Sequence, residues 1–280
     1  KNPDFILLLE KCLYALQLGA NSIVLQFDDI PDHFYGKYKT NLSEGASHAK
    51  LANELFMRLN TSIYVIPRIY SDELIKDSEK YLLEFGKKLN NSLKIFYCGI
   101  NVVEKKINKN RKKIISKFLK NQIVFWDNFY ANDYCPRRLF IGPWKDRCNK
   151  MDIMINPTGL IETDLLIIDI VGNTLNKSDN WESVMSKNNV PNIFFKICKY
   201  FELPDFTTEP KFKVLKYTKK DIDILDKLLW DWHTDLSREW YPFLIGLKID
   251  LQINVGVLTK DRIIKTQTNP MVNKILQIGD

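Results

Sequence analysis

Short runs of β-branched and aromatic residues recur along the chain at Ser22 to Phe27, Ser62 to Ile66, Leu93 to Cys98, Ile123 to Trp126 and Asp152 to Ile155. Runs of this length, closed by turn residues, predict buried strands. Longer stretches with apolar residues at helical spacing lie before and between them, at Phe5 to Leu18, Ala46 to Leu59, Asp72 to Leu89 and Lys109 to Leu119. The chain therefore opens on a helix and then alternates strand and helix. The strand ends, taken at Asp28, Tyr70, Gly99, Asp127 and Asn156, are 42, 29, 28 and 29 residues apart, which is the spacing of βα units. The pattern predicts an α/β fold, a (β/α)8 TIM barrel whose polar strand ends converge on one face. Five strands can be counted. The expected barrel is thus incomplete, about five C-terminal βα units, with about three more expected upstream of Lys1.

After Asn156 the periodicity turns helical, with helices expected at Glu162 to Val171 and Asn192 to Phe201. Pro204 and the Thr207-Thr208-Glu209-Pro210 segment read as a boundary. The expected division is a partial barrel with closing helices over residues 1–205 and a C-terminal helical region over 206–280. In that region Trp230, Trp232, Trp240 and Tyr241 are expected to pack, because aromatic residues at such spacing usually form core.

Composition narrows the function classes. With 45% hydrophobic and 12% aromatic residues, the 280-residue chain can bury a full core. The formal charge of +7 comes mainly from dispersed lysines. The one dense stretch, Lys105, Lys106, Lys109, Arg111, Lys112 and Lys113, is spaced like a solvated helix face and lacks the aromatic or glycine partners of a nucleic-acid surface. No nucleic-acid partner is expected. Five widely separated cysteines, Cys12, Cys98, Cys135, Cys148 and Cys198, show no metal-ligand spacing with the three histidines and fit a reducing, cytoplasmic setting better than a disulfide framework. The apolar run around Leu165 to Val171 is broken by Asp169, so no membrane span is predicted.

The most informative block runs from Ile123 to Pro143. Its apolar strand gives way abruptly to Trp126, Asp127, Asn128, Asn132 and Asp133. An aromatic plate beside short amides and carboxylates suits a hydroxyl-rich ligand, because each hydroxyl donates and accepts while the apolar sugar face stacks on indole. An Asx-rich turn after a strand accounts for one or two of these residues, not for five. Asp127, on the strand, points away from Asn128 and suits a supporting role.

Asp28 and Asp29 close the first strand. Side chains that are neighbours on a regular strand face opposite ways, so two adjacent carboxylates can serve one site only where the backbone turns. Taken alone, the pair reads equally as a catalytic couple or as a strand-end aspartate followed by a helix cap.

The pair has company. Asp28-Asp29-Ile30-Pro31, His48-Ala49 with Asn53, Pro67-Arg68-Ile69-Tyr70, Trp126-Asp127-Asn128 with Ala131-Asn132-Asp133-Tyr134, Arg138-Leu139-Phe140-Ile141-Gly142-Pro143 and Asn156-Pro157 follow in order. Together they resemble glycoside hydrolase family 84, the O-GlcNAcase and hyaluronidase-like β-N-acetylglucosaminidases, from about Lys1 to about Phe206. The resemblance implies a (β/α)8 barrel followed by helices. It also implies retaining, cofactor-free removal of terminal β-linked N-acetylglucosamine from a glycan or glycoprotein, in which the substrate's own acetamido oxygen attacks the anomeric carbon to form an oxazoline. Asp28 then matches the residue that polarises the acetamido N–H, and Asp29 the general acid and base. Tyr70 matches a hydrogen-bonding tyrosine near the acetamide, and Trp126 the wall around its methyl group. Asn128, Asp133 and Asn156 match residues that hold the sugar, with Asp133 on the outer hydroxyls. This scheme asks for a raised pKa at Asp29 and a charged Asp28.

Some features depart from the family pattern. Its glycine-rich Phe-Tyr-Gly segment and its sugar-binding lysine have no counterpart here, and Tyr97-Cys98-Gly99 stands where Trp-Thr-Gly is more frequent. His48 is expected to begin the helix after the catalytic loop in a structural role, with His33 and His233 on the surface or packed, and Arg137 and Arg138 as loop anchors. Two other readings compete with the glycosidase: a catalytically silent N-acetylglucosamine-binding barrel, opposed by the retained Asp28 and Asp29, and a purely structural barrel, opposed by the polar strand ends. Without its upstream units, the 280-residue chain is expected to be inactive alone.

Overall fold

The structure, a computed structural model, describes residues 2–30, 42–74, 78–107, 115–133, 138–147, 152–178, 180–203 and 218–254. The chain clusters into two compact units, Lys1–Asp127 with Cys148–Met154, and Asn128–Arg147 with Ile155–Asp280.

In the first unit, helix α1 (Pro3–Gln17) starts where Pro3 presets the first turn and Asn2 Oδ1 accepts the Asp4 N–H at 3.0 Å. Strands β1 (Ser22–Gln26), β2 (Ser62–Ile66), β3 (Lys94–Tyr97), β4 (Ile123–Asp127) and β5 (Ile153–Ile155) form one sheet in sequential order. The first four pair in parallel, with Ile23 opposite Ile63, Val65 opposite Ile95 and Phe96 opposite Val124. Helices α2 (Glu44–Arg58) and α3 (Ser78–Lys88) connect them. Sequential parallel order with intervening helices is the topology of an incomplete (β/α)8 barrel, as the strand spacing predicted.

Strand alternation sorts the core into two layers. Leu25, Ile63, Val65, Ile95, Ile123 and Phe125 pack with Ala49, Ala52 and Leu55 of α2 and Leu82 and Phe85 of α3. The opposite strand face carries Ile66, Phe96 and Val124, joined by Tyr70 and Cys98, with Tyr64, Trp126 and Met154 against them. The period of two therefore delivers Trp126 to the layer facing away from the helices, where Tyr70, four residues past the end of β2, joins it. Gly45 brings α2 against α3, since a Cβ there would lie 2.6 Å from the Tyr81 carbonyl oxygen.

Pairing does not stop where β2 and β3 end. Tyr70 accepts from the Cys98 N–H at 2.7 Å, Gly99 from Asp72 at 3.1 Å and Ile100 from Glu73 at 3.0 Å, with a parallel bridge between Ser71 and Gly99. Tyr97 donates its hydroxyl to Asp72, and the Glu104 carboxylate accepts the Ile100 and Asn101 N–H groups at 2.7 and 2.9 Å. The expected helix does not start at Asp72, because this added ladder uses the backbone of Asp72 and Glu73; residues 75–77 lie outside the described residues, and the helix is described over Ser78–Lys88. Of the expected helix at Lys109 to Leu119, residues 109–114 lie outside the described residues, as does most of the lysine-rich stretch.

The second unit contains α4 (Ile161–Asn176), α5 (Trp181–Lys187), α6 (Lys219–Asp231) and α7 (Asp235–Asn254). Asn192 to Phe201 is not the expected α-helix. It forms two 3-10 turns, Asn192–Lys196 and Cys198–Tyr200, separated by Ile197. The tighter three-residue winding aligns Phe194 and Ile197, both fully buried, and sets Phe194 5.2 Å from the Trp240 ring. Trp232 and Trp240 are core, as expected, whereas Trp230 and Tyr241 are 73% and 50% exposed. They fall on the outer sides of α6 and α7. The expected boundary near residue 205 lies within 204–217, outside the described residues.

Candidate active site

Asp28 and Asp29 follow β1 at a sharp backbone turn. Asp29 has φ +92°, a conformation that costs a non-glycine residue of order 1–3 kcal/mol. That turn breaks the strand alternation and lets both carboxylates serve one place. The Tyr70 hydroxyl donates to Asp29 Oδ1 at 3.2 Å, and the Tyr70 ring lies 5.5 Å from that of Trp126, tilted by 48°. Asp28, Asp29, Tyr70 and Trp126, drawn from the ends of β1, β2 and β4, thus form a contiguous group in the first unit.

The pKa of Asp28 is raised. Its burial is the main cause and the neighbouring Asp29 adds to it, while its own backbone opposes the shift. Its Oδ1 is buried without a hydrogen-bond partner, so the ionised form has no donor at that oxygen. Tyr70 is held firmly protonated by burial first and by Asp29 next, which makes its hydroxyl a permanent donor.

In the second unit, Asn128 follows β4 and Asn156 follows β5. Asn156 Nδ2 donates to Asn128 Oδ1 at 3.1 Å, so these two amides form a pair, with Asn128 buried. Asp133 is exposed and stands on the loop after β4. That loop is tied back by Asn132 Nδ2 to the Arg138 carbonyl at 3.0 Å and by the Tyr130 hydroxyl to the Gly142 carbonyl at 2.8 Å. Asp127, in β4, is buried. A separate cleft of about 240 Å³ between α6 and α7, lined by Trp232, His233, Ser237 and Arg238 among others, contains none of these residues.

His48 does not begin its helix: Ser43 caps α2, and Glu44 is its first residue. The ring lies inside the first unit, stacked on Phe27 at 4.1 Å and bonded through Nδ1 to the Tyr81 hydroxyl at 2.8 Å. Burial, reinforced by the Arg68 charge, lowers its pKa to about 4. Beside it, buried Arg68 makes a two-point ion pair with Glu44, Nη2 to Oε2 at 2.6 Å. Sequence reasoning did not single out Glu44 or Tyr81. The available signal was Arg68 itself, a cation two residues from Tyr70 at a strand end, which demands a carboxylate when buried.

Among the described residues no cluster of three or more histidine, cysteine or acidic side chains could hold a metal ion. Cys12, Cys98 and Cys198 are not in disulfides, and Cys135 and Cys148 lie outside the described residues. No described helix is long and apolar enough to cross a membrane. His33 and Arg137 also lie outside the described residues, whereas His233 is exposed.

Sequential parallel strands whose ends carry paired carboxylates, a buried tyrosine and a tryptophan define the class of barrel proteins that keep a polar site at the strand ends. Comparison with known proteins makes the class specific. The β-N-acetylglucosaminidase family matches residues 1–163, more than half of the chain, and the chain belongs to that family, glycoside hydrolase family 84. It is 30% identical to the Protein O-GlcNAcase of Rattus norvegicus over 180 residues, 60% of this chain and 20% of that protein. The Mus musculus protein of the same name is 29% identical over the same shares. The chain thus spans about one fifth of the length of these relatives. Among solved structures, it resembles a mutant of the Thermobaculum terrenum O-GlcNAc hydrolase with TM-score 0.60 and 20% identity, over 99% of this chain and 62% of that one. It resembles CpGH84B with TM-score 0.62 and 15% identity, over 90% and 53% of the two chains. At these identities the structural likeness speaks for the fold.

Proposed function

We propose that this chain supplies the catalytic strand ends of a retaining exo-β-N-acetylglucosaminidase, an O-GlcNAcase-like enzyme acting on terminal β-linked N-acetylglucosamine of a glycan or glycoprotein. The observation that carries the reading is the buried, unpartnered Asp28 Oδ1 beside the Tyr70–Asp29 hydrogen bond. A buried acceptor without a donor is costly, and a substrate acetamido N–H supplies the missing donor. Once bonded, that N–H lowers the pKa of Asp28 and holds it ionised, reconciling the raised pKa of the empty site with a charged working form.

The acetamido oxygen, made more nucleophilic by this contact, attacks the anomeric carbon. The leaving oxygen takes the proton of Asp29, and an oxazoline forms, protonated on its ring nitrogen, with that N–H still donated to the Asp28 carboxylate. Asp29 then accepts a proton from water as the water opens the oxazoline, which restores the N-acetyl group and the β configuration. Tyr70 donates near the reacting acetamide, Trp126 walls its methyl group, and Asn128, Asp133 and Asn156 hold the sugar hydroxyls. No cofactor enters the scheme. The proposed organisation assigns residues 1–205 to the barrel and 206–280 to a helical region.

The test uses the chain with its natural flanking sequence. An aryl β-N-acetylglucosaminide should be hydrolysed, the matching aryl glucoside without the N-acetyl group should not, and a thiazoline that mimics the oxazoline should bind far more tightly than substrate. A covalent sugar trapped on a protein carboxylate would falsify the substrate-assisted route.

A further inference from the structure

We propose that His48, Tyr81, Arg68 and Glu44 form a positioning clamp that sets the geometry between the general acid Asp29 and its hydrogen-bond partner Tyr70. The inference rests on the glycosidase reading above and concerns side chains that the reaction scheme leaves unused.

The clamp grips both catalytic strand ends. Phe27 immediately precedes Asp28, and its ring lies flat on His48 at 4.1 Å and 2°. Its N–H is tied to the Ile66 carbonyl at 2.9 Å. On the neighbouring strand end, Arg68 stands two residues before Tyr70, and its backbone N–H donates to the Tyr81 hydroxyl oxygen at 3.1 Å. One phenol on α3 therefore reaches the backbone leading to Tyr70 and, through His48, the ring leading to Asp29. The Arg68 guanidinium lies 5.6 Å over the Tyr81 ring and is fixed by both oxygens of Glu44 at the start of α2.

Proton counting fixes the direction of these bonds. The Arg68 N–H can only donate, so the Tyr81 oxygen accepts it. The buried Tyr81 proton needs an acceptor, and His48 Nδ1 at 2.8 Å provides it. His48 is thereby the Nε2–H tautomer, consistent with a ring whose pKa falls to about 4. A neutral ring stacks on Phe27 without carrying a buried charge beside Arg68. Nothing in the described contacts brings His48 or Tyr81 to the carboxylate oxygens, so they act by placement.

The consequence for catalysis depends on the leaving group. Misplacing the acid by a fraction of an ångström slows protonation, which a poor leaving group needs and an activated aryl group scarcely does. Loss of fold, by contrast, removes active enzyme and lowers both rates equally. The experiment measures kcat and KM of Tyr81→Phe, in the chain with its natural flanking sequence, on an alkyl and on a nitrophenyl β-N-acetylglucosaminide. The expected result is roughly a tenfold loss of kcat on the alkyl substrate, no more than about twofold on the nitrophenyl one, and KM nearly constant. His48→Phe, which keeps the stack and removes the acceptor, should repeat the pattern and covers the case in which Tyr81→Phe folds poorly. His48→Asn, which restores an acceptor near Nδ1, should recover part of the alkyl rate. Equal losses on both substrates, or none, overturn the clamp while leaving the glycosidase reading intact. Failure of the wild type to cleave either substrate overturns both.

Discussion

Glu239 of α7 caps a helix to which it does not belong. Its carboxylate accepts the N–H groups of Glu162 at 3.0 Å and Thr163 at 2.9 Å, together with the Thr163 hydroxyl at 2.9 Å. Leu160, at the N-cap of α4, has no side-chain oxygen to offer, so the first-turn donors are satisfied from 77 residues away. Trp240 completes the joint by donating Nε1 to Thr163 Oγ1 at 3.0 Å. Replacing Glu239 by Ala should lower unfolding free energy by about 1–2 kcal/mol, the range for a lost cap and its orphaned donors. Urea unfolding checks this, and a change within about 0.3 kcal/mol would show that water replaces the carboxylate without cost.

Asp28 links function to stability through its raised pKa. The folded state holds this proton more tightly than the unfolded one. The stabilisation is fully present below the ordinary value of 3.8 and is lost as pH rises through the folded pKa. At neutral pH the ionised carboxylate thus detracts from folding stability. Asp28→Asn should raise the Tm at pH 7 relative to wild type, with the advantage shrinking as pH falls towards 3.8, while turnover is lost. A mutant less stable than wild type at pH 7 would contradict the burial argument.

If Asp29 is the acid, Asp29→Asn should lose far more activity on a poor leaving group than on an activated aryl one. Asn tolerates the positive φ of this position, so folding should survive the change. Parallel losses on both substrates would remove Asp29 from the role.

Tyr70→Phe and Trp126→Ala should injure the same step differently. The first deletes the part-buried hydrogen bond to Asp29, worth roughly 1–3 kcal/mol, and should lower kcat. The second, if Trp126 walls the acetamide, should weaken discrimination against bulkier N-acyl groups. Measuring N-acetyl against N-butanoyl substrates separates them, and an unchanged preference in the Trp126 variant would place the pocket wall elsewhere.

The sheet was legible in the sequence because buried parallel strands leave short apolar runs, and βα units leave a regular spacing between their polar ends. Asp28, Tyr70 and Trp126 stood out because each sits where such a run stops. The left-handed turn at Asp29 left no trace, since no glycine marks it. Of the His48–Tyr81–Arg68–Glu44 group only Arg68 gave a signal: Glu44, His48 and Tyr81 look like ordinary polar positions of amphipathic helices, and only packing of α2 on α3 joins them to Arg68. Spacing alone also could not tell Trp230, exposed on α6, from Trp232, which is buried just past the end of that helix where the backbone turns extended.

The ladder that continues past β2 and β3 through Tyr70, Asp72 and Glu73 bears on how the site moves. Segments bonded as sheet open with the sheet, and loops fray separately. The amides of Cys98, Asp72 and Glu73 should therefore resist deuterium exchange on the timescale of the β2–β3 core. Mass spectrometry of peptic fragments can read this directly. Fast exchange there, beside a protected Val65 and Ile95, would mean that the wall carrying Tyr70 breathes by itself. Slow exchange would mean that Tyr70 is held as part of the scaffold, with its position already ordered in the free protein.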